Sequence, residues 1–312
     1  MRRLSVYCLR LGCAAVLFGV GLVRQSVAWG GEGHGMINRL AGETLPADVP
    51  EFLRSPAALD ALVYYGPEPD RWRSLAEPEL NAAQAPEHFI DLEYADLAGP
   101  LPRRRYDFVR ALAAAQAAHP EVQLTPEKIG LQPYETVELY ERLKSALRDY
   151  RALAAAKKDT KPSEAEIVFL AGWLGHYVAD GSMPLHTSIQ YNGWTGPNPN
   201  GYTTEHHIHA LFESDFVHAA VRPGDVAPLV RATKPVVMGD VFDAYMKYLR
   251  HSNTLVERTY ELEKAGGFAG VGTPAGKEFV DERLAAGAVE LRDMIYTAWV
   301  KSGDPVPAYK GN

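Results

Sequence analysis

Gly172-Trp-Leu-Gly-His-Tyr-Val-Ala-Asp-Gly-Ser-Met-Pro-Leu-His186 carries two histidines and an aspartate at spacings that a helix makes meaningful. His176 and Asp180 stand four apart, so a helix projects them from one face about one turn from each other. His186 follows Pro184, just past the point where that helix should end. Imidazole and carboxylate together are what a borderline-soft divalent cation such as Zn²⁺ accepts. Taken alone, the stretch reads equally well as a helix with one acid and two ordinary histidines, so the rest of the chain has to decide.

Helical patterning extends from it in both directions. Just upstream, Pro162-Ser-Glu-Ala-Glu166 reads as a capping box, Ser163 with Glu166, that launches the helix holding His176 and Asp180. Residues 134–157 place Val137, Tyr140, Leu143, Leu147 and Tyr150 at helical spacing. Residues 103–118 are alanine-rich and helical, and Thr125-Pro126-Glu127 reads as an N-cap with proline at the first helical position. Residues 36–45 and 57–65 are earlier helices, the second ended by Gly66-Pro-Glu-Pro69. Downstream, residues 190–203 are rich in Gly, Asn and Pro and read as a surface loop. Residues 204–220, 241–264 and 277–299 return to helix. Strand-type alternation is nearly absent, and no repeat or linker divides the chain. The expected class is all-α, a single-domain helical bundle.

The first residues read as a processing signal. Arg2, Arg3 and Arg10 precede an apolar run over residues 11–23, and Ser26-Val27-Ala28 is a small-x-small cleavage site. A signal peptide over residues 1–28 implies export to the periplasm or beyond. The functional domain is then 29–312, with 301–312 an extended tail. Cys8 and Cys13 both fall in the leader, so the processed chain has neither a disulfide nor thiolate chemistry. The leader holds four arginines and no acids, which takes the charge from −7 for the whole chain to −11. Such an acidic chain lacks the broad basic face of a duplex-DNA binder, and any polyanion would have to meet bound cations.

Other histidines and acids keep suggestive company. His209-Ala-Leu-Phe-Glu213 repeats the spacing of His176 and Asp180 on another helical stretch. Two such pairs on separate helices could each supply one edge of a shared site in a bundle core. His34 closes the glycine-rich start Trp29-Gly-Gly-Glu-Gly-His34. Asp70 follows a proline and precedes Arg73 by three, and His88 lies in Glu87-His-Phe-Ile-Asp-Leu92. His206 and His207 adjoin His209, but neither has an acid four residues on.

In this order the residues resemble those of the S1/P1 nuclease and zinc-dependent phospholipase C superfamily. The resemblance runs from Trp29 to Glu213, most of the processed chain. It implies an all-α fold of the phospholipase C/P1 nuclease type that holds three zinc ions. Asp70, His88, His176 and Asp180 would form the first site, and His186, His209 and Glu213 the second. Trp29, through its α-amine and backbone carbonyl, would form the third with His34, and Asp180 would bridge to it. Leader cleavage then gains a chemical meaning, because an α-amine has a pKa near 8 and can bind metal, whereas the amide it replaces cannot.

The resemblance also implies phosphate-ester hydrolysis by metal-activated water, with no side-chain nucleophile. Three dications outweigh the three ligand carboxylates, so the site attracts a phosphodiester despite the acidic surface. Asp70 and Arg73 are the catalytic candidates, Arg73 gripping phosphate oxygens at two points. Tyr191, Trp194 and Tyr202 are candidates for stacking bases of a single-stranded nucleic acid. The Trp-x-x-x-x-His start, Arg73, the long loop before His209 and the late run from Arg283 to Gly287 are similar to the nucleases. Met183, Ala179 and the His-x-x-Phe-Glu form of the second site depart from them, and the last resembles the phospholipases. The expected substrate is therefore single-stranded nucleic acid or nucleotides, the alternative a phosphatidylcholine-like phospholipid. An inactive zinc-stabilised binding protein is the reading from outside enzymology. No stable protein partner is implied, and a monomer is expected.

Overall fold

The computed structural model describes residues 29–307. The expected signal peptide, 1–28, and residues 308–312 of the expected tail lie outside the described residues. The chain opens with α1 (Gly30–Glu43) and α2 (Pro56–Tyr65), followed by the short α3 (Glu68–Trp72), α4 (Pro78–Gln84) and α5 (Leu92–Ala95). α6 (Arg105–Ala115) and the single-turn α7 (Pro126–Ile129) lead into the long α8 (Gln132–Ala155) and α9 (Lys161–Ser182). After the loop come α10 (Ile208–Ala210), α11 (Phe216–Ala220), α12 (Pro223–Arg231), α13 (Val241–Asn253), α14 (Val256–Lys264) and α15 (Pro274–Lys301). Among the described residues there is no sheet, only the isolated bridges Ile90–Gly130 and Tyr191–Gly193. The all-α expectation holds. No helix among the described residues is long and apolar enough to cross a membrane.

α9 sits at the centre because from Ile167 onward it is mostly apolar and buried on nearly every side. Ile167, Ala171, Leu174, Tyr177 and Val178 are fully buried, and α1, α2, α8, α13 and α15 pack around them. Burying one such large side chain stabilises the fold by about 1.5–3 kcal/mol. Glycines let the first two helices approach closely. A Cβ at Gly172 would meet Tyr65 at 2.5 Å, and one at Gly175 would meet Asn38 at 1.9 Å. Asn38 uses that proximity, its Nδ2 donating to the carbonyls of Leu62 at 2.9 Å and Gly172 at 3.0 Å. One buried amide thus joins α1, α2 and α9, which also positions the polar residues of α9 against those of α1.

Several helix limits differ from the sequence reading. α1 starts at Gly30 rather than Met36, because Gly33 and Gly35 pack closely on Trp29 and Val63 and tertiary contact outweighs their low propensity. The capping box is not formed. α9 begins at Lys161, and Thr160 Oγ1 donates to Glu164 Oε1 at 2.7 Å, while Ser163 is already in the first turn. Residues 125–129 make one turn, in which Pro126 takes the first position but the Thr125 side chain makes no capping bond.

The span 241–264 is two helices, broken where Asn253 Nδ2 donates to the Thr187 carbonyl and Thr254 Oγ1 to that of His251. The span 204–220 becomes helical only at Ile208 and contains a wide π turn over Leu211–Asp215. The last helix runs through Lys301, and Ser302 behind it is buried, so the tail starts later than 301. α4 and α12, both proline-initiated, escaped the periodicity reading.

Candidate metal centre

The central part of α9 brings His176 and Asp180 to one face as expected, with Nε2 and Oδ2 3.4 Å apart. Other elements deliver the remaining residues to the same place. His88 comes from the 3-10 turn Ala85–His88, His34 from α1 and Asp70 from α3. His88 Nδ1 lies 2.9 Å from His176 Nε2 and 3.2 Å from Asp180 Oδ2. Asp70 Oδ1 lies 3.8 Å from His88 Nδ1 and 3.9 Å from His176 Nε2. His34 stacks on His176 with ring centroids 4.1 Å apart, and its Nε2 is 3.5 Å from Asp180 Oδ1.

A neighbouring group is built by His186, from the turn Pro184–Thr187, with His209 and Glu213. Glu213 Oε2 is 3.1 Å from His209 Nε2 and 3.7 Å from His186 Nε2. The π turn widens the helix at Glu213, a local distortion often found at functional sites. Three sets of side chains could therefore hold metal ions: Asp70, His88 and His176; His34, His176 and Asp180; His186, His209 and Glu213.

The hydrogen bonds at the outer edge of these groups fit metal ligands. Nδ1 of His176 donates to the Gly66 carbonyl at 2.8 Å, Nδ1 of His186 to that of His88 at 2.7 Å, and Nδ1 of His209 to that of Tyr191 at 2.9 Å. Each bond keeps the proton on Nδ1 and leaves Nε2 facing inward, where a metal can take it, the usual second partner of a metal-bound imidazole. Both oxygens of Asp70, Oδ1 of Asp180 and Oε1 of Glu213 are buried without a hydrogen-bond partner among the described residues. Such orphaned buried acceptors are costly, and a cation would satisfy them.

Without a cation the charges are frustrated. Burial pushes the carboxyls of Asp70 and Asp180 well above their ordinary range, and Asp70 and Glu213 raise Asp180 further. Burial pushes His88 and His176 well below the usual imidazole value, helped by neighbouring cationic groups. Glu213 goes the other way. Burial opposes its ionisation, but His209 and His186 bring it down to about 2. Asp70 and Asp180 hold on to their protons, and so does His209, raised by Glu213 against its burial, until a metal ion takes the protons' place.

Trp29 is fully buried beside the second group. Its indole Nε1 donates to the Ala179 carbonyl at 2.7 Å and to Ser182 Oγ at 3.1 Å, and its backbone nitrogen to Glu213 Oε2 at 3.0 Å. Its carbonyl accepts from Gly33 N at 3.0 Å in the first turn of α1. The side chains grouped with His34 are His176 and Asp180, and the Trp29 nitrogen lies against Glu213. His206 and His207 are exposed and stay outside all three groups, which leaves His209 as the inward imidazole.

A cavity of about 260 Å³ opens onto the groups, reached by His88, His186 and His209. Arg73 lines it, with Nη1 4.0 Å from Asp70 Oδ1. Tyr191 lines it too, but Trp194 and Tyr202 do not. Those two rings pack on each other at 4.8 Å and on Tyr260, and the Tyr202 hydroxyl donates to Glu257 Oε1 at 2.9 Å. They secure the loop from outside the cavity that Tyr191 lines. The loop is glycine-rich and must find its own apolar anchor, and these rings supply it.

The sequence reading missed Phe89, Asp91 and Lys128 on the cavity wall. Phe89 and Asp91 follow His88 directly, so proximity was a usable signal. Lys128 arrives through the Ile90–Gly130 bridge, a pairing across forty residues that no local pattern announces. No protein-family model matches this chain, and no curated protein matches it either.

Proposed function

We propose that this protein is an exported, zinc-dependent phosphodiester hydrolase of the S1/P1 nuclease type, acting on single-stranded nucleic acid or nucleotides. The observation that carries the reading is the set of three imidazoles, His176, His186 and His209. Each is tied through Nδ1 to a backbone carbonyl and faces buried carboxylates with Nε2. Structural histidines have no need of that shared arrangement.

Asp70, His88, His176 and Asp180 would hold one ion, His186, His209 and Glu213 a second. His34 and Asp180 would hold a third together with the amine of a processed Trp29. Zinc bound there would supply Lewis acidity toward a phosphate oxygen and a water made acidic near neutral pH. Arg73 reaches the same cavity and can grip phosphate with two parallel N–H bonds. Asp70 holds that guanidinium near the centre by charge. Phe89 and Tyr191 offer aromatic faces for a base, and Asp91 and Asn192 offer polar edges beside them. An aromatic wall near a phosphate grip favours a nucleotide over a lipid, whose acyl chains would need a longer apolar groove.

The test is direct. The processed protein is purified, its zinc counted, and its activity measured on single-stranded DNA, RNA, 3′-nucleotides and phosphatidylcholine. Hydrolysis of the nucleic acids or nucleotides is expected. Cleavage of phosphatidylcholine alone would replace this reading with a phospholipase, and zinc without turnover would leave a metal-stabilised binding protein.

A further inference from the structure

Two candidate ligands have chain neighbours that meet behind the centre. Glu87 precedes His88 in its 3-10 turn, and Tyr177 follows His176 in α9. The Tyr177 hydroxyl donates to Gln84 Oε1 at 2.7 Å and lies 3.5 Å from Glu87 Oε2. Glu87 is only 7% exposed, so its carboxylate needs a partner of opposite charge. Arg105 is that partner, with Nη1 donating to Glu87 Oε1 at 2.7 Å.

The same guanidinium donates to two acids of α8, through Nη2 to Glu135 and through Nε to Glu138 at 3.0 Å. One planar fork therefore joins the His88 turn to α6 and α8. Backbone bonds hold the chain on either side of the turn, Leu131 N to the Pro86 carbonyl and Gln132 N to that of Phe89. The Arg105–Glu87 bond ties the turn at the residue that adjoins the ligand. Without it, Glu87 and Glu135 would face each other as buried like charges with nothing between them.

We propose that Arg105 is a positioning residue for the Asp70–His88–His176 group. By holding Glu87 it sets the placement of His88, and so the affinity of that group for a divalent cation. Outer partners of metal ligands typically change affinity about 10–100-fold when removed. The proposal rests on reading the group as a metal centre and is independent of which substrate is cleaved.

The experiment is a cobalt(II) titration of the full chain after chelator treatment, read by affinity and visible spectrum. Arg105→Ala should weaken at least one cobalt ion about tenfold or more and alter its spectrum. Millimolar guanidinium should restore both, since a cavity of about 330 Å³ bordered by Glu87, Arg105 and Trp173 gives it access. Glu138→Gln removes an acid that Arg105 also holds but does not touch Glu87, and it should leave cobalt affinity unchanged whatever it does to Tm. If Arg105→Ala does not fold, Arg105→Lys keeps one charge without the fork and should weaken cobalt binding about threefold or more. Wild-type affinity and spectrum in the Arg105 variants would overturn the proposal alone, as would equal losses in Glu138→Gln. A wild-type chain that takes no cobalt would overturn the metal reading and this proposal together.

Discussion

Asp180 presents Oδ1 to Nε2 of His34 at 3.5 Å. Its other oxygen, Oδ2, is 3.2 Å from His88 and 3.4 Å from His176. One carboxylate thus faces two of the three groups, and both faces are fully buried. Asp180→Asn keeps the shape but removes the charge that both ions would share. The processed variant should retain fewer zinc ions than the wild type, by as many as two, as counted by elemental analysis after dialysis. Metal-ion charge stabilisation is worth several kcal/mol, so hydrolysis should fall by roughly a thousandfold at 1.36 kcal/mol per factor of ten. Full zinc content in the variant would sink the shared-ligand assignment.

The legible part of this centre was the part written in local spacing. His176 with Asp180 and His209 with Glu213 are both four apart, and each pair meets in space as helical geometry requires. The α9 helix itself was equally plain, being long and apolar with a proline just past its end. What stayed hidden was set by distant contacts. The 241–264 pattern continues without a breaker, yet Asn253 is diverted to the Thr187 carbonyl and the helix stops. Gly33 and Gly35 argue against a helix locally, and only the packing of Trp29 and Val63 against them explains α1. Trp194 and Tyr202 looked free for a base, because nothing in the loop reveals that Tyr260 waits beneath them.

Glu213 answers to three partners, His186, His209 and the Trp29 backbone nitrogen. Glu213→Gln keeps an oxygen for Trp29 but loses the charge that draws both imidazoles. The ion held by His186 and His209 should be lost first on titration with a chelator, while the His88–His176 group keeps its own. Breaking a buried charge pair from one side costs about 3–5 kcal/mol. The metal-free variant should therefore also unfold at lower urea than metal-free wild type. Simultaneous release of all ions would show that the groups act as one unit and that Glu213 has no separate site.

Arg73 tests the substrate side without disturbing the metal side. It lines the cavity, is partly exposed, and touches the groups only through Asp70 at 4.0 Å. Arg73→Ala should leave zinc content and Tm near wild type while lowering kcat/KM by about ten- to a hundredfold, the range expected for one charge-assisted bidentate grip worth about 1.5–3 kcal/mol. Arg73→Lys should recover only part of this, because an ammonium cannot make the paired contact. A lysine variant equal to wild type would reduce Arg73 to a point charge and remove it as a phosphate clamp.

Glu290 is a partly buried acid of α15 with no part in the centre, and it gives a pH signature of its own. Burial, with Asp293 as a lesser contributor, pushes its carboxyl from 4.5 up to about 8, and Oε1 has no hydrogen-bond partner among the described residues. A raised acid keeps its proton in the folded chain while the unfolded chain has lost it, so stability falls as pH rises through the window from 4.5 to about 8. The lowered values of His88 and His176 work in the opposite sense, but only below their unfolded value near 6.5. Glu87 and Asp91, both raised to about 7, share the sign of Glu290 but finish earlier. Asp70, Asp180 and His209 are raised as well and share that sign in the metal-free chain, so between pH 7 and 8 Glu290 should contribute about 1 kcal/mol of the unfolding free energy that metal-free wild type loses. Urea titrations of metal-free Glu290→Gln over the same interval should show a loss smaller than wild type's by about that amount, since the amide has no proton to give up. An undiminished pH slope in the variant would mean that another group carries it and that Glu290 is already ionised in the folded protein.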